Sequence, residues 1–187
     1  MSAASSSLPS TVARIALFAA LIAALGLVPQ VMLPFAGGVP ITAQTLGLML
    51  AGLILGPWRG AAAVLVFMAV VALGAPLLAG GRGGLGVFVG PTAGFLVGFP
   101  IATIVIGQVW RALSGRMKPM LAGILASLTG GMVVLYAFGV PGLALVTGMT
   151  LTQAAAVVAV FIPGDILKAI IAAYVNREVR RATAVDA

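Results

Sequence analysis

The chain has 187 residues, of which 62% are hydrophobic and only 7% charged, and its net charge is +7. An ordinary soluble domain carries roughly 25% charged residues, so this chain lacks the polar groups to cover a water-facing surface, and most of that surface must face lipid. With no Cys and no His, disulfides, thiol catalysis and most zinc sites are excluded. The basic residues are scattered between apolar runs rather than gathered with aromatics, which argues against a nucleic-acid partner.

Apolar segments recur along almost the whole chain, and a membrane span needs roughly 20 such residues. A polar segment, residues 1–11, precedes helix 1, which is expected from about Val12 to Val28 and stops at Pro29. Arg14 before an apolar run resembles the start of a signal peptide, but no A-x-A cleavage site follows it. Helix 2 is expected after Pro40 and ends at Gly56-Pro57. Helix 3 runs from about Gly60 to Leu73, before Gly74-Ala75-Pro76. These two are short, roughly 21 to 24 Å at 1.5 Å per residue. Helix 4 opens at Pro91, where a proline suits a first turn, and ends near Arg111. Helix 5 runs from about Pro119 to Phe138. Helix 6 ends near Arg180 and is begun or interrupted at Pro163-Gly164. Between them, Pro141 to Ile162 reads either as the first half of a kinked helix 6 or as a shorter helix capping the bundle.

The expected fold is an all-α integral membrane protein, a six-transmembrane-helix bundle over residues 12–181 with a C-terminal tail at 182–187. With six spans, Arg14, Arg59, Arg111, Arg116, Lys118, Arg177, Arg180 and Arg181 fall on one side. The opposite loops hold only Arg82, and Lys168 lies within helix 6. Cytoplasmic loops carry the basic excess, so both termini are expected to be cytoplasmic. Small residues recur at a spacing of four: Gly52, Gly56 and Gly60; Gly86, Gly90, Gly94 and Gly98; Gly123, Ser127 and Gly131. At that spacing they let helix backbones approach closely in lipid.

The chemistry of the chain concentrates on few residues. Asp165 and Lys168 stand three apart, on one helix face. A charge inside a span costs about 2.5 to 3.5 kcal/mol on insertion scales, and it persists where it faces a cavity, pairs with another charge or binds a ligand. Both a ligand site and a purely structural ion pair fit this spacing. Arg82 is the charge of an outer loop, in Gly80-Gly81-Arg82-Gly83-Gly84-Leu85-Gly86. That loop contains a formal G-x-G-x-x-G, but no strand precedes it, so the dinucleotide reading fails. A loop so rich in glycine can fold over a small molecule. Gln44 and Thr42 offer further hydrogen bonds near the outer end of helix 2, with bonding between helices as the alternative role. Enzyme chemistry is poorly supported: the acids number three, no pair of them can share a site, and no His can activate a Ser. No G-x-x-x-x-G-K-[ST] is present either, so the chain does not hydrolyse ATP alone. One Asp, one Lys and Arg82 suit a small anion with an apolar body and a head carrying both N–H and C=O groups.

Several segments together resemble the BioY family, the biotin-binding S components of energy-coupling factor (ECF) transporters. They are Pro40-Ile41-Thr42-Ala43-Gln44-Thr45, Leu55-Gly56-Pro57-Trp58-Arg59-Gly60, the Gly80–Gly86 loop, Gly90-Pro91-Thr92-Ala93-Gly94 and Pro163-Gly164-Asp165-Ile166-Leu167-Lys168. The resemblance covers about Arg14 to Arg181, and it departs at Ala93, where a second glycine is expected. It implies a six-helix bundle that captures biotin from outside, with no cofactor of its own. Asp165 and Lys168 would hold the ureido ring, and Arg82 is a candidate for the valerate carboxylate. It also implies a transmembrane coupling (T) component and two ATPase subunits as partners. Helix 1 carries Ala16-x-x-x-Ala20-x-x-x-Ala24 and Ala19-x-x-x-Ala23, and in S components such a stripe docks the coupling protein. The loaded subunit would then topple in the membrane to release biotin inside. From the residues alone, a stand-alone secondary transporter of a small organic anion, an S component for another vitamin, and a structural subunit remain open.

Overall fold

The computed structural model describes residues 8–30, 39 and 42–185, and these are almost entirely helical. Helix α1 spans Leu8–Gly26. It starts four residues before the expected Val12, so residues 8–11 form its first turn, and residues 1–7 of the expected polar segment lie outside the described residues. Pro40 and Ile41, where helix 2 was expected to begin, also lie outside them. Helix α2 spans Gln44–Leu55 and α3 spans Pro57–Ala72. One residue separates them, Gly56, whose φ of 83° is a left-handed conformation that favours glycine. Pro57 needs no N–H partner in the first turn of α3, so Trp58 and Arg59 join that helix rather than a loop.

The segment between α3 and the next long helix folds on itself. Leu78 and Arg82 exchange backbone hydrogen bonds of 3.0 and 3.2 Å, closed by Gly80 and Gly81, both at positive φ. A short 3₁₀ turn, Leu85–Phe88, follows. Helix α4, Ala93–Leu113, continues through Pro100. Beyond that proline the Thr103 hydroxyl donates to the Phe99 carbonyl at 2.9 Å.

Helix α5, Pro119–Leu128, a π-helical turn, Thr129–Val134, and helix α6, Leu135–Thr147, form one continuous run of 29 residues. The expected end at Phe138 is therefore wrong: Gly139 and Pro141 do not stop the helix. Within lipid, a break would leave backbone groups without partners. The small Gly139 also takes the Phe95 ring against its backbone. The run ends instead on Gly148 at φ 73°, a common left-handed helix end.

Helix α7, Leu151–Ala159, starts with a capping box between Thr150 and Gln153. Helix α8, Ile162–Val185, follows at a bend of 52°. A short helix bent from its successor fits both readings of this stretch from Leu151 onward, while Pro141–Thr147 belongs to the preceding helix. Pro163 lies in the first turn of α8, so Pro163-Gly164 marks the beginning of that helix. The helix runs past Arg180 and takes in residues 182–185 of the expected tail.

Helix α4 is the centre of the packing and touches α2, α3, α5 and α6. Small residues set the distances: a Cβ at Gly52 would lie 2.7 Å from Ile106. One at Gly94 would collide with the Phe138 carbonyl and Gly142. Gly86 has open space around it, so the expected close approach holds for Gly94 and Gly98 but not for the loop end of that series. Helix α1 is the least enclosed, packing on α2 and α3 through Ala19 and Ile22. By length and composition, α1, α4 and the α5–α6 run can each cross a membrane, as can the bent α7–α8 pair taken as one span. Helices α2 and α3 are apolar but shorter.

Candidate functional site

The site is built around the first turn of α8. Asp165 lies in that turn, where the exposed N–H ends of a helix favour a negative charge. Its side chain is nearly inaccessible, the residue being 3% exposed. Both carboxylate oxygens are engaged. Lys168 Nζ donates to Oδ1 at 2.9 Å, and the Tyr136 hydroxyl of α6 donates to Oδ2 at 2.6 Å. Thr45, on α2, donates to Oδ1 at 3.4 Å and accepts from Lys168 Nζ at 3.0 Å. A buried charge is tolerable only when paired and hydrogen-bonded; here three helices supply the partners.

Asp165, Lys168, Arg82 and Gln44 all line one cavity, together with Thr42, Thr45, Thr92 and Tyr136. Its apolar wall comes from Val39, Leu78, Phe95, Leu96, Phe99, Leu135 and Phe161. The cavity thus combines polar groups from α2, α6, α8 and the loop with an aromatic and aliphatic wall.

Arg82 hangs from the glycine-rich loop. Its Nε donates to the Ala79 carbonyl at 3.2 Å, and Nη1 to the Thr92 hydroxyl at 3.4 Å. Burial lowers its pKa from the ordinary value, yet a guanidinium stays cationic at physiological pH. Its other amino group, Nη2, has no hydrogen-bond partner among the described residues and is the donor best placed to meet an anion.

Gln44 lines the cavity but spends its amide on the protein. Nε2 donates to the Leu77 carbonyl at 3.0 Å and the Ile22 carbonyl at 3.4 Å, while Oε1 accepts from the Ala79 N–H at 3.2 Å. It ties α1, α2 and the loop that carries Arg82, so its geometry is that of a positioning residue. The alanines of α1 divide by face: Ala16, Ala20 and Ala24 are exposed, Ala19 is buried and Ala23 packs against the core. The first stripe is available to a neighbour and the second is largely consumed within the bundle.

Thr45, Tyr136 and the aromatic wall are site residues that sequence reasoning did not pick out. Tyr136 is one of two tyrosines, and a phenol deep in an apolar helix needs a hydrogen-bond partner. That was the available signal.

Comparisons with known proteins identify the family of the chain. The model of the BioY family matches residues 1–185. The chain belongs to the BioY family. Among BioY relatives, the "Biotin transporter BioY" of Rhodobacter capsulatus is 50% identical over 177 residues, covering 90% of this chain and 92% of the relative. That of Rhizobium etli is 50% identical over 169 residues, covering 88% and 89%. A crystal structure of the S-component for biotin from an ECF-type ABC transporter superposes with a TM-score of 0.87 at 30% identity, covering 92% of each chain. As a BioY protein with several helices able to cross a bilayer, the chain is a membrane protein.

Proposed function

We propose that this chain is the membrane-embedded biotin-binding subunit of a vitamin uptake system of the ECF type, a transport protein rather than an enzyme. The observation that carries this reading is the convergence of Asp165, Lys168 and Arg82 on one aromatic-walled cavity in a BioY chain. Biotin has a ureido head with two N–H groups and a C=O, an apolar bicycle and a carboxylate tail. Asp165 accepts from the N–H groups, and Lys168 meets the C=O. Phe95, Phe99 and Phe161 cover the bicycle, and the free donors of Arg82 meet the carboxylate. Gln44 holds the loop that presents Arg82. No cofactor enters this scheme.

Residues 12–181 form one transmembrane unit of six spans, α2 and α3 crossing as short spans and α7–α8 as a bent one. Both termini face the cytoplasm, because eight of the ten Lys and Arg residues then fall on that side. The unit resides in the bacterial cytoplasmic membrane. Its partners are a transmembrane coupling component and ATPase subunits, in line with the lack of a nucleotide-binding motif here. The exposed Ala16-Ala20-Ala24 face of α1 receives the coupling component, and Ala19 and Ala23 let α1 pack closely behind it.

The test is a titration of biotin into the detergent-purified chain, with dethiobiotin and thiamine as comparisons. Tight binding selective for biotin supports the proposal. A folded, monodisperse sample that binds thiamine but not biotin would replace the vitamin, and one that binds neither would refute the assignment.

A further inference from the structure

The opposite end of the bundle holds a second, polar pocket. It is lined by Leu55, Gly56, Trp110, Arg111, Ser114 and Arg180, among others. Helices α2, α4 and α8 run from it to the biotin cavity. Asp165 and Arg180 both lie on α8, fifteen residues apart, roughly 22 Å along the axis. Gln44 and Leu55 are the first and last residues of α2, and Phe95 and Trp110 stand near the two ends of α4.

Two guanidinium groups meet there. Arg180 lies over the Trp110 ring, 4.8 Å from its centre, and its Nε donates to Asn176 Oδ1 at 3.2 Å. Its terminal amino groups are thereby positioned but not consumed. Arg111 reaches across the joint between α2 and α3, where a Cβ on Gly56 would lie 2.9 Å from its Nη2. Among the described residues no carboxylate pairs with either arginine. Asp165 belongs to the other end, and Glu178 is taken by Arg177 and Arg181. Two fork-shaped donors with a serine hydroxyl beside them match the oxygens of a phosphate group.

The level of the pocket decides the source of that phosphate. Both tryptophans of the chain stand at this end, and Trp58, next to the Gly56-Pro57 joint, is 66% exposed. Tryptophan gathers at the headgroup level of membranes, and basic pockets between helices at that level take acidic lipid headgroups.

We infer that the Arg111–Arg180 pocket is a binding site for the phosphate of an acidic glycerophospholipid, distinct from the biotin cavity. The probe is phosphatidylglycerol. Native mass spectrometry of the detergent-purified chain is run with added phosphatidylglycerol, phosphatidylcholine or inorganic phosphate. The chains compared are wild type, Arg111→Gln, Arg111→Gln/Arg180→Gln and Arg116→Gln. Phosphatidylglycerol is expected to be retained about tenfold more strongly than phosphatidylcholine. That preference falls in Arg111→Gln, disappears in the double variant and survives in Arg116→Gln. Biotin binding at the far end stays unchanged and reports that each variant is folded. If the double variant does not fold, Arg111→Gln decides alone, since that exposed side chain makes no hydrogen bond or ion pair among the described residues. Undiminished retention in the Arg111 variants, or equal retention of the two lipids, overturns the site. Displacement of the lipid by inorganic phosphate overturns the lipid as its occupant. A loss of thermal stability in Arg111→Gln that is the same with or without lipid, with retention intact, would mean that this arginine only caps the end of α2.

Discussion

The two ends of α8 handle charge in opposite ways. At Asp165 the charge is buried, and every strong contact is internal, from Lys168, Thr45 and Tyr136. At Arg180 the guanidinium rests on an aromatic ring, and no acid of the described chain answers it. The same helix thus carries a closed, self-satisfied cluster at one end and an open, unanswered one at the other. A closed cluster holds a geometry ready for a specific partner. An open cluster of like charges makes a field, which sets orientation and neighbours rather than recognising one molecule in detail.

Substitutions can break this contrast, beginning with the largest effect. Asp165→Asn removes the charge that three helices are arranged around. It should weaken biotin binding by about 3 kcal/mol or more, at least about a hundredfold, because it leaves Lys168 buried without its counter-charge. Calorimetric titration of the folded variant measures this, and an affinity equal to wild type would remove Asp165 from the site. Gln44→Leu strands the Leu77 carbonyl, the Ile22 carbonyl and the Ala79 N–H. A loss of about 2 to 3 kcal/mol in stability is expected, with the melting point in detergent as the readout. Tyr136→Phe takes away one hydrogen bond to a charged group, about 1.5 kcal/mol, so biotin affinity should fall roughly tenfold while the fold stays intact. Arg180→Gln should leave biotin binding within about twofold, since a change so distant and unconnected adds independently. Coupling between Arg180 and Asp165 in a double-mutant cycle would show that the two ends are not separate. Smallest of all, Ala16→Leu on the open face of α1 should shift stability by less than about 0.5 kcal/mol. Ala19→Leu, on the buried face, should cost about 1 to 3 kcal/mol through overpacking.

Much of the site was legible because the chain is so poor in charge. In a sequence with 7% charged residues, Asp165, Lys168 and Arg82 stand out without any structural knowledge, and all three line the cavity. Tyr136, Phe95 and Phe161 did not stand out, because an aromatic facing a cavity and one facing lipid look alike in an apolar helix. Helix limits were legible where the break was real, as at Gly56-Pro57. They misled where soluble-protein rules were applied inside a membrane, as at Gly139 and Pro141. The role of Gln44 could not be read locally, since its partners lie 22 and 33 residues away along the chain for Ile22 and Leu77.

The 2.6 Å bond from Tyr136 to Asp165 has a consequence for discrimination. Each carboxylate oxygen has two acceptor sites, and the phenol takes one of those on Oδ2, so it fixes the carboxylate while leaving a place for a ligand N–H. An analogue that presses against Asp165 but lacks an N–H shuts that acceptor site off from water without a partner, and sites built this way reject such near-misses far more strongly than any apolar pocket can. The cavity thus acts as a filter by completion: what enters must supply the donor for which the tyrosine leaves room.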